Sequence, residues 1–440
     1  MRNRKYFTAI FLIVMTGCTR FENAELTERN NFVHFYSSGT SFTGSCAEVD
    51  TDGGFILTGE IRYNNGVTDA LIIKTDPRGQ KVWEKVIPNG LINAVRPTAN
   101  GYILLGDGIK LNASSPQVSE LVNSHAQLLI MDKQGTILAE HIKTDSIPPA
   151  NNSTAFRKID YHGNALTFDP AGNIIILGTF RVPGENESSF ISAFDPSNLQ
   201  DSLWYRSYVL LDNRDYVNCN AIHLTSSSDF LWASKTFTQQ QNVSREYLSV
   251  LTAVGNSTIK NNGLYGERDE GNHSVADIQK SGSGVGYGVI GTYSNTNGAN
   301  ANIYFIRVDQ HGSIIPESTR YIDGENLILN NALLETVERA TSSSQDEGAA
   351  IIGTIDGYVL AATITSTPTV GNGGKDILLI KTDAFGNLLW SKLIGGTGDE
   401  TVTSLRETPD KGLLISGTNT INGLSSIMLM KTDEMGDVKN

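Results

Sequence analysis

Residues 52–83 read DGGFILTGEIRYNNGVTDALIIKTDPRGQKVW, and the turns in that stretch decide the local structure. Asp52-Gly53-Gly54 joins two strands, the apolar run Leu71-Ile72-Ile73 forms a third, and Asp76-Pro77-Arg78-Gly79 leads into a fourth that begins near Trp83. Asp at the first turn position caps its own backbone, Pro at the second is already at φ near about −65°, and Gly suits the fourth. One such unit is a four-stranded antiparallel sheet.

The turn after the third strand recurs as Asp76-Pro-Arg-Gly79, Asp132-Lys-Gln-Gly135, Asp195-Pro-Ser-Asn198, Thr252-Ala-Val-Gly255, Asp309-Gln-His-Gly312, Asp383-Ala-Phe-Gly386 and Asp433-Glu-Met-Gly436. These are seven copies, with first positions 50 to 74 residues apart. An upstream landmark keeps step with them: CAEVDTDGGFILTG, NAVRPTANGYILLG, NALTFDPAGNIIILG, NAIHLTSSSDFLWAS, SVADIQKSGSGVGYGVIG, AAIIGTIDGYVLAAT and TSLRETPDKGLLISG. Each reads strand, tight turn, strand. Third strands such as LIIKT, LLIMD and LLIKT are apolar at nearly every position, so both of their faces are buried and each sheet is stacked between two others. The seventh copy stops at Asp437-Val438-Lys439-Asn440, short of a fourth strand, whereas FVHFYSSGTSFTGSCAEVDTDGG near the start lines up with LWSKLIGGTGDETVTSLRETPDKG. The alignment predicts that residues 32–36 pair as the outer strand of the last copy and close a ring, which leaves only short, protected edges.

The DGG-[FY]-I-L-x-G and L-I-K-T-D-x-x-G-x-x-x-W units resemble the blades of bacterial secreted and lipoprotein β-propellers. Copies one, six and seven match best. Copies three and four depart, with Asn198 for the turn Gly, Thr252 for the turn Asp, and Ser228-Asp229 for Asp-Gly. The resemblance implies an all-β fold, a seven-bladed β-propeller of four-stranded antiparallel blades over residues 32–440, closed by an N-terminal strand that completes the last blade. It implies a scaffold and names no substrate.

The net charge of −13 and pI near 5.0 argue against nucleic acid or an anionic membrane surface as partner. Arg2, Arg4 and Lys5 precede an apolar run from Phe7 to Met15 that is too short to span a bilayer. Met15-Thr16-Gly17-Cys18 resembles the lipobox of bacterial lipoproteins, with Met15 in place of the usual Leu. The resemblance implies a signal peptide at 1–17, lipid on Cys18, and a polar tether through 18–31. Thr19 is not the Asp that retains some lipoproteins at the inner membrane, so an outer-membrane address is expected, periplasmic or surface-exposed; Glu22 and Glu25 resemble acidic surface-export signals. Cys46 and Cys219 are read as buried thiols. Two stretches exceed the repeat, 110–122 and 324–348, and Leu329, Leu333, Val337 and Ala340 in the second predict a short helix capping one face.

Loops from each outer strand to the next inner strand emerge on one face, at the mouth of the central tunnel. They carry Asp212 and Asp215, then Glu267, Asp269 and Glu270, then Asp323 and Glu325, then Asp399 and Glu400, with Arg214 and Arg268 among them. Converging carboxylates of this kind take a hard cation such as Ca²⁺, a protonated amine or sugar hydroxyls. No resident cofactor or metal is expected beyond such a Ca²⁺. Asp50-Thr51-Asp52-Gly53 lacks the later ligands of a calcium loop and reads as a turn, and the glycine-rich 282–288 stretch has no helix after it to cradle a phosphate. The seven His residues are dispersed, and no Gly-x-Ser-x-Gly elbow is present. Trp83, Trp204 and Trp390 recur at one repeat position and mark packing between blades. The expectation is a monomeric, non-enzymatic, lipid-anchored binding or scaffold module with a protein or glycan partner at the cell envelope. The alternative is a propeller-type glycan-processing hydrolase or lyase using carboxylates at the tunnel mouth, roughly 5 to 10 Å apart. A quinone-cofactor dehydrogenase would need inner-strand stacking aromatics, which the sequence lacks.

Overall fold

The computed structural model describes residues 31–111, 121–147, 157–208, 215–225, 229–240, 243–254, 259–265, 271–284, 286–295, 300–316, 318–331, 345–365, 367 and 370–438. Residues 1–30, which include Cys18 and the expected signal peptide and tether, lie outside them. Among the described residues, four-stranded antiparallel sheets span 41–87, 90–143, 160–208, 215–265 and 271–322. An eight-stranded sheet holds two further antiparallel groups, 347–394 and 399–431, joined by a single parallel pairing of Lys375 with Asp399. Phe32–Tyr36 pairs antiparallel with Leu424–Lys431, Phe32 opposite Lys431 and Tyr36 opposite Ile427. The first strand of each group touches the first strand of the next, and Asp399–Glu407 touches Ser41–Val49. The chain is an all-β propeller of four-stranded antiparallel blades.

Local chemistry forms these blades as the turns require. Asp76 Oδ1 accepts from Arg78 N at 2.9 Å and Gln80 N at 2.8 Å, and Gly79 takes φ +76°. Asp132, Asp309, Asp383 and Asp433 repeat the arrangement. The apolar third strands are buried on both sides. Ile72 packs with Tyr102, Leu104 and Leu129 of the following blade, while Leu71 and Ile73 pack with Leu414 and Leu429. Each such side chain contributes about 1.5–3 kcal/mol by leaving water, so the inter-blade seams hold most of the stability. The recurrent Trp residues close the same seams: Trp83 Nε1 donates to Lys133 O at 3.0 Å, and the Trp204 ring lies 5.7 Å from Phe230.

The inner strands share a defect that shapes everything at the axis. Pairing with the second strand slips by one residue between Gly44 and Cys46, Ile92 and Ala94, Gly163 and Ala165, Val275 and Asp277, Gly348 and Ala350, and Val402 and Ser404. The strand Asp215–Leu224 slips twice, at Val217/Cys219 and Asn220/Ile222. These are β-bulges, each bending its strand and re-aiming one side chain. They also explain the last glycine of the repeated ILxG run. A Cβ at Gly106, Gly291 or Gly417 would sit 1.8 Å from the carbonyl oxygen of Leu91, Ser274 or Thr401, and at Gly59 and Gly178 the gap is 2.4 and 2.1 Å. The bulge pushes the inner backbone over that residue and favours Gly in these five blades, whereas the 347–394 group has Ala362 and the 215–265 sheet has Lys235 at the same register.

The capping helix differs from its expected register. It runs Gly324–Asn330, with Asp323 as N-cap accepting from Asn326 N at 2.9 Å, and Asn331 ends it at φ 52°. It buries Leu327 and leaves Leu329 exposed. The Asp323 cap starts the helix early, and the cluster containing Ile364 and Leu378 takes Leu327 instead. Leu333, Val337 and Ala340 lie outside the described residues. In the other insertion, strand pairing extends to Leu111 opposite Leu121.

Candidate binding channel

The bulges converge on the axis. Ser45, Asn93, Asn164, Ala221, Ala276, Ala349 and Thr403, one from each inner strand, line a cavity of about 190 Å³. Three residues beyond the bulge the side chains become charged or polar in some blades: Glu48, Arg96 and Arg406 are charged, and Gln279 is a neutral amide. Glu48 belongs to the 41–87 blade and lies between arginines of the two flanking blades. Its Oε1 accepts from Arg96 Nη1 at 2.6 Å and from Arg406 Nε at 2.8 Å. Each guanidinium also donates to its own strand, Arg96 to Val95 O at 2.9 Å and Arg406 to Leu405 O at 2.7 Å. Arg96 keeps 33 % of its side chain accessible and Arg406 22 %, against 13 % for Glu48. That access is to the channel, because both arginines line the cavity. A guanidinium has five N–H donors; Arg96 Nε and Nη2 remain without a protein acceptor among the described residues, whereas Arg406 Nε and Nη2 both lie 2.8 Å from Glu48 Oε1 and its Nη1 donates to Leu405 O.

Electrostatics follow from this packing. Burial alone would raise the Glu48 carboxyl, but Arg406 and Arg96 outweigh it and hold Glu48 below the usual range, hence ionised. Asp277, across the channel, is pushed up to about 6 by burial, offset in part by Arg406 and by the N–H groups of Ile351 and Ile278. Those bonds are 3.2 and 2.8 Å long. His223 is pushed down to about 4 by burial and shares a 2.6 Å hydrogen bond with Ile278 O, so it is neutral. Asn164 Oδ1 is a buried acceptor without a hydrogen-bond partner among the described residues. The channel thus offers guanidinium donors, amide groups and one carboxylate, Asp277, that burial pushes up to about 6. At about 190 Å³ it is smaller than the roughly 300–1,000 Å³ of drug-sized pockets, so it takes one small polar group.

Of the acids picked out from the sequence, Asp212, Glu267, Asp269 and Glu270 lie outside the described residues. Asp215 opens its strand opposite Phe237, and its side chain lies outside the description. Asp399 is exposed, whereas Glu400 is buried and accepts from Gly396 N at 2.8 Å. Burial raises the Glu400 carboxyl, and Asp376 and Asp399 add to the rise. Asp323 is engaged as the helix cap, and Glu325 accepts from Thr367 Oγ1 at 3.0 Å. Among the described residues no group of three His, Cys, Asp or Glu is arranged to hold a metal. In the Asp50 turn the cations are ammonium groups: Lys74 Nζ lies 3.2 Å from Asp50 and 2.9 Å from Asp52, and Lys133 joins Asp50 at 2.5 Å. Ser281 N donates to Gly286 O at 3.0 Å and Gly284 N to Ser281 O at 2.9 Å, and the strand Tyr287–Asn295 follows. Cys46 is a free, buried thiol, while the Cys219 side chain lies outside the description. The channel residues went unnoticed in the sequence, although the aligned repeats contain the signal. Glu48, Arg96, Thr167, His223, Gln279, Ile352 and Arg406 form one column, unusually polar for a strand otherwise committed to the core.

No protein-family model matches the chain, and no curated protein sequence is similar to it. Solved structures with a similar fold include the β-propeller domain of the Trilobed protease from Pyrococcus furiosus, at 7 % identity over 92 % of this chain and 97 % of that one, TM-score 0.46. The Trypanosoma rangeli sialidase aligns at 10 % identity over 92 % of this chain, TM-score 0.41, and this chain spans 58 % of its length. A prolyl endopeptidase aligns at 11 % identity over 88 % of this chain and 48 % of that one, TM-score 0.44. At these levels the likeness is one of fold.

Proposed function

We propose that the chain is a seven-bladed ring carried on the outer membrane by lipid at Cys18, acting as a binding module for an acidic partner at the envelope, a glycan in first place. Ring closure by the strand Phe32–Tyr36 is supported by its pairing with Leu424–Lys431 and by the bonds from Gly44 N to Thr418 Oγ1 and from Ala47 N to Ser404 Oγ, each 3.0 Å. The observation that carries the binding reading is the pair Arg96 and Arg406. Glu48 holds both in place, and Arg96 keeps Nε and Nη2 free to face the small polar cavity that Arg406 also lines. Fixed guanidinium forks suit a carboxylate or phosphate, and Asn93, Asn164 and Gln279 beside them suit hydroxyl groups. The mouth acids Asp212, Asp215, Glu267, Asp269, Glu270 and Asp399 belong to the same proposal as outer contacts to Ca²⁺ or to sugar hydroxyls, while the buried Glu400 holds Gly396 N instead.

Calorimetry on the full chain in detergent, with digalacturonate and inorganic phosphate as ligands, tests the channel against an Arg96→Gln/Arg406→Gln variant. Heat of binding in the native chain that disappears in the variant supports the reading. Equal heat in both, or none in the native chain, refutes it.

A further inference from the structure

Between the second and third blades, Asp107 stands where other junctions use threonine. Thr418, Thr292 and Thr363 each accept, through Oγ1, one backbone N–H of the next blade: from Gly44 at 3.0 Å, Gly348 at 3.2 Å and Val402 at 3.1 Å. Asp107 does the same with Oδ1, accepting from Gly163 N at 2.8 Å. The junction needs one oxygen, and aspartate supplies a second. That Oδ2 lies 3.1 Å from His162 Nδ1, and His162 Nε2 lies 3.2 Å from Ser124 Oγ. Asn93 Nδ2, at 3.4 Å, also faces Oδ2.

The chemistry fixes the direction of this relay. An ionised carboxylate only accepts, so the proton of the neutral imidazole sits on Nδ1 and Nε2 is left to accept from the Ser124 hydroxyl. Both separations fall in the range that joins a nucleophile to its base and the base to its orienting group. The Asp107 side chain is 11 % accessible and His162 40 %, while Ser124 is half-buried. A purely structural junction is complete with Thr, as three other blades show, and has no use for a solvent-reachable imidazole.

We propose that Ser124, His162 and Asp107 cleave short-chain carboxylic esters at this junction, with Ser124 as nucleophile, His162 as general base and Asp107 as the positioning carboxylate. As Oγ bonds to the ester carbonyl carbon, its proton passes to His162 Nε2. The C–O bond to the leaving group then breaks, the alcohol takes that proton, and the acyl group stays on Ser124. Water repeats the sequence with the same base and releases the carboxylic acid, so one ester and one water give one acid and one alcohol. The site adjoins the channel through Asn93, but Ser124, His162 and Asp107 do not line that cavity, and neither reading depends on the other.

The test uses the full chain, 4-nitrophenyl acetate, and a fluorophosphonate whose attachment site is read by mass spectrometry. Ser124→Ala and His162→Gln each reduce turnover about 100-fold or more. Asp107→Thr does so while restoring the residue type of the other junctions, so its melting temperature stays native. The fluorophosphonate attaches to Ser124 in the native chain and not in His162→Gln. The hydrogen bond to Asp107 holds His162 above its ordinary range, with Glu187 and Asp160 adding to the rise, so turnover climbs as pH passes through that raised value. Turnover unchanged in Ser124→Ala, or no turnover together with no label on Ser124, overturns the proposal.

Discussion

Replacing Glu48 by Gln removes one charge and almost no volume from the channel wall, and its cost follows from the geometry. Arg96 Nη1 at 2.6 Å and Arg406 Nε at 2.8 Å both lose an ionised acceptor. Breaking a fully buried pair by removing one partner costs about 3–5 kcal/mol, because a charge is left unpaired in a poor solvent. Here Arg96 and Arg406 reach the channel with 33 and 22 % of their side chains, so water restores part of that loss. The expected destabilisation is about 2 kcal/mol. With an unfolding entropy of roughly 2 cal/mol/K per residue, a chain of this size melts about 2–3 °C lower. The Glu48→Gln/Arg96→Gln double variant removes one charge of each sign and recovers part of the loss, with a coupling of about 1 kcal/mol. Thermal unfolding of the four proteins of this cycle, followed by circular dichroism at two salt concentrations, measures it. A Glu48→Gln variant that melts with the native chain, or a cycle without coupling, would refute the view that this carboxylate holds the arginines.

Two further outcomes follow from the same structure. Gly417→Ala drives a Cβ to 1.8 Å from Thr401 O, and the cost is about 3 kcal/mol or more; Gly423→Ala, where φ is +79° and nothing lies within 4 Å, costs only about 1 kcal/mol of backbone strain. Equal melting temperatures for these two variants would contradict the bulge explanation of the ILxG glycine. For Asp277, pushed up from 3.8 to about 6, the folded state holds the extra proton between those values, so stability falls as pH rises through that window and the penalty is full above it. Asp277→Asn therefore gains on the native chain by on the order of 1–2 kcal/mol between pH 4 and pH 7, after allowance for channel water. A melting-temperature difference that does not change with pH would remove Asp277 from the channel's charge balance.

Much of the fold is legible in the sequence because its causes are local. A turn such as Asp76-Pro77-Arg78-Gly79 bonds to itself within five residues, and an apolar run such as Leu71-Ile72-Ile73 declares both of its faces buried wherever it sits. The same locality limits the reading of the helix. Leu329 and Leu333 have helical spacing, yet the cap at Asp323 and the pocket for Leu327 choose the buried face. Site residues are less legible still. Glu48, Arg96 and Arg406 sit on three blades, the last 358 residues along the chain from the first, and Asp107, Ser124 and His162 meet only because two blades stack.

By itself, then, the sequence determined the repeat, its hairpins and its strands, since turn dihedrals and side-chain periodicity act over a few residues. Tertiary structure alone decided what faces the axis. A one-residue bulge in an inner strand reverses the alternation of side chains beyond it, and the stacking of one blade on the next brings distant strands to within hydrogen-bond reach. Periodicity records which residues a strand buries, whereas the partner each one meets depends on how the sheets pack around it.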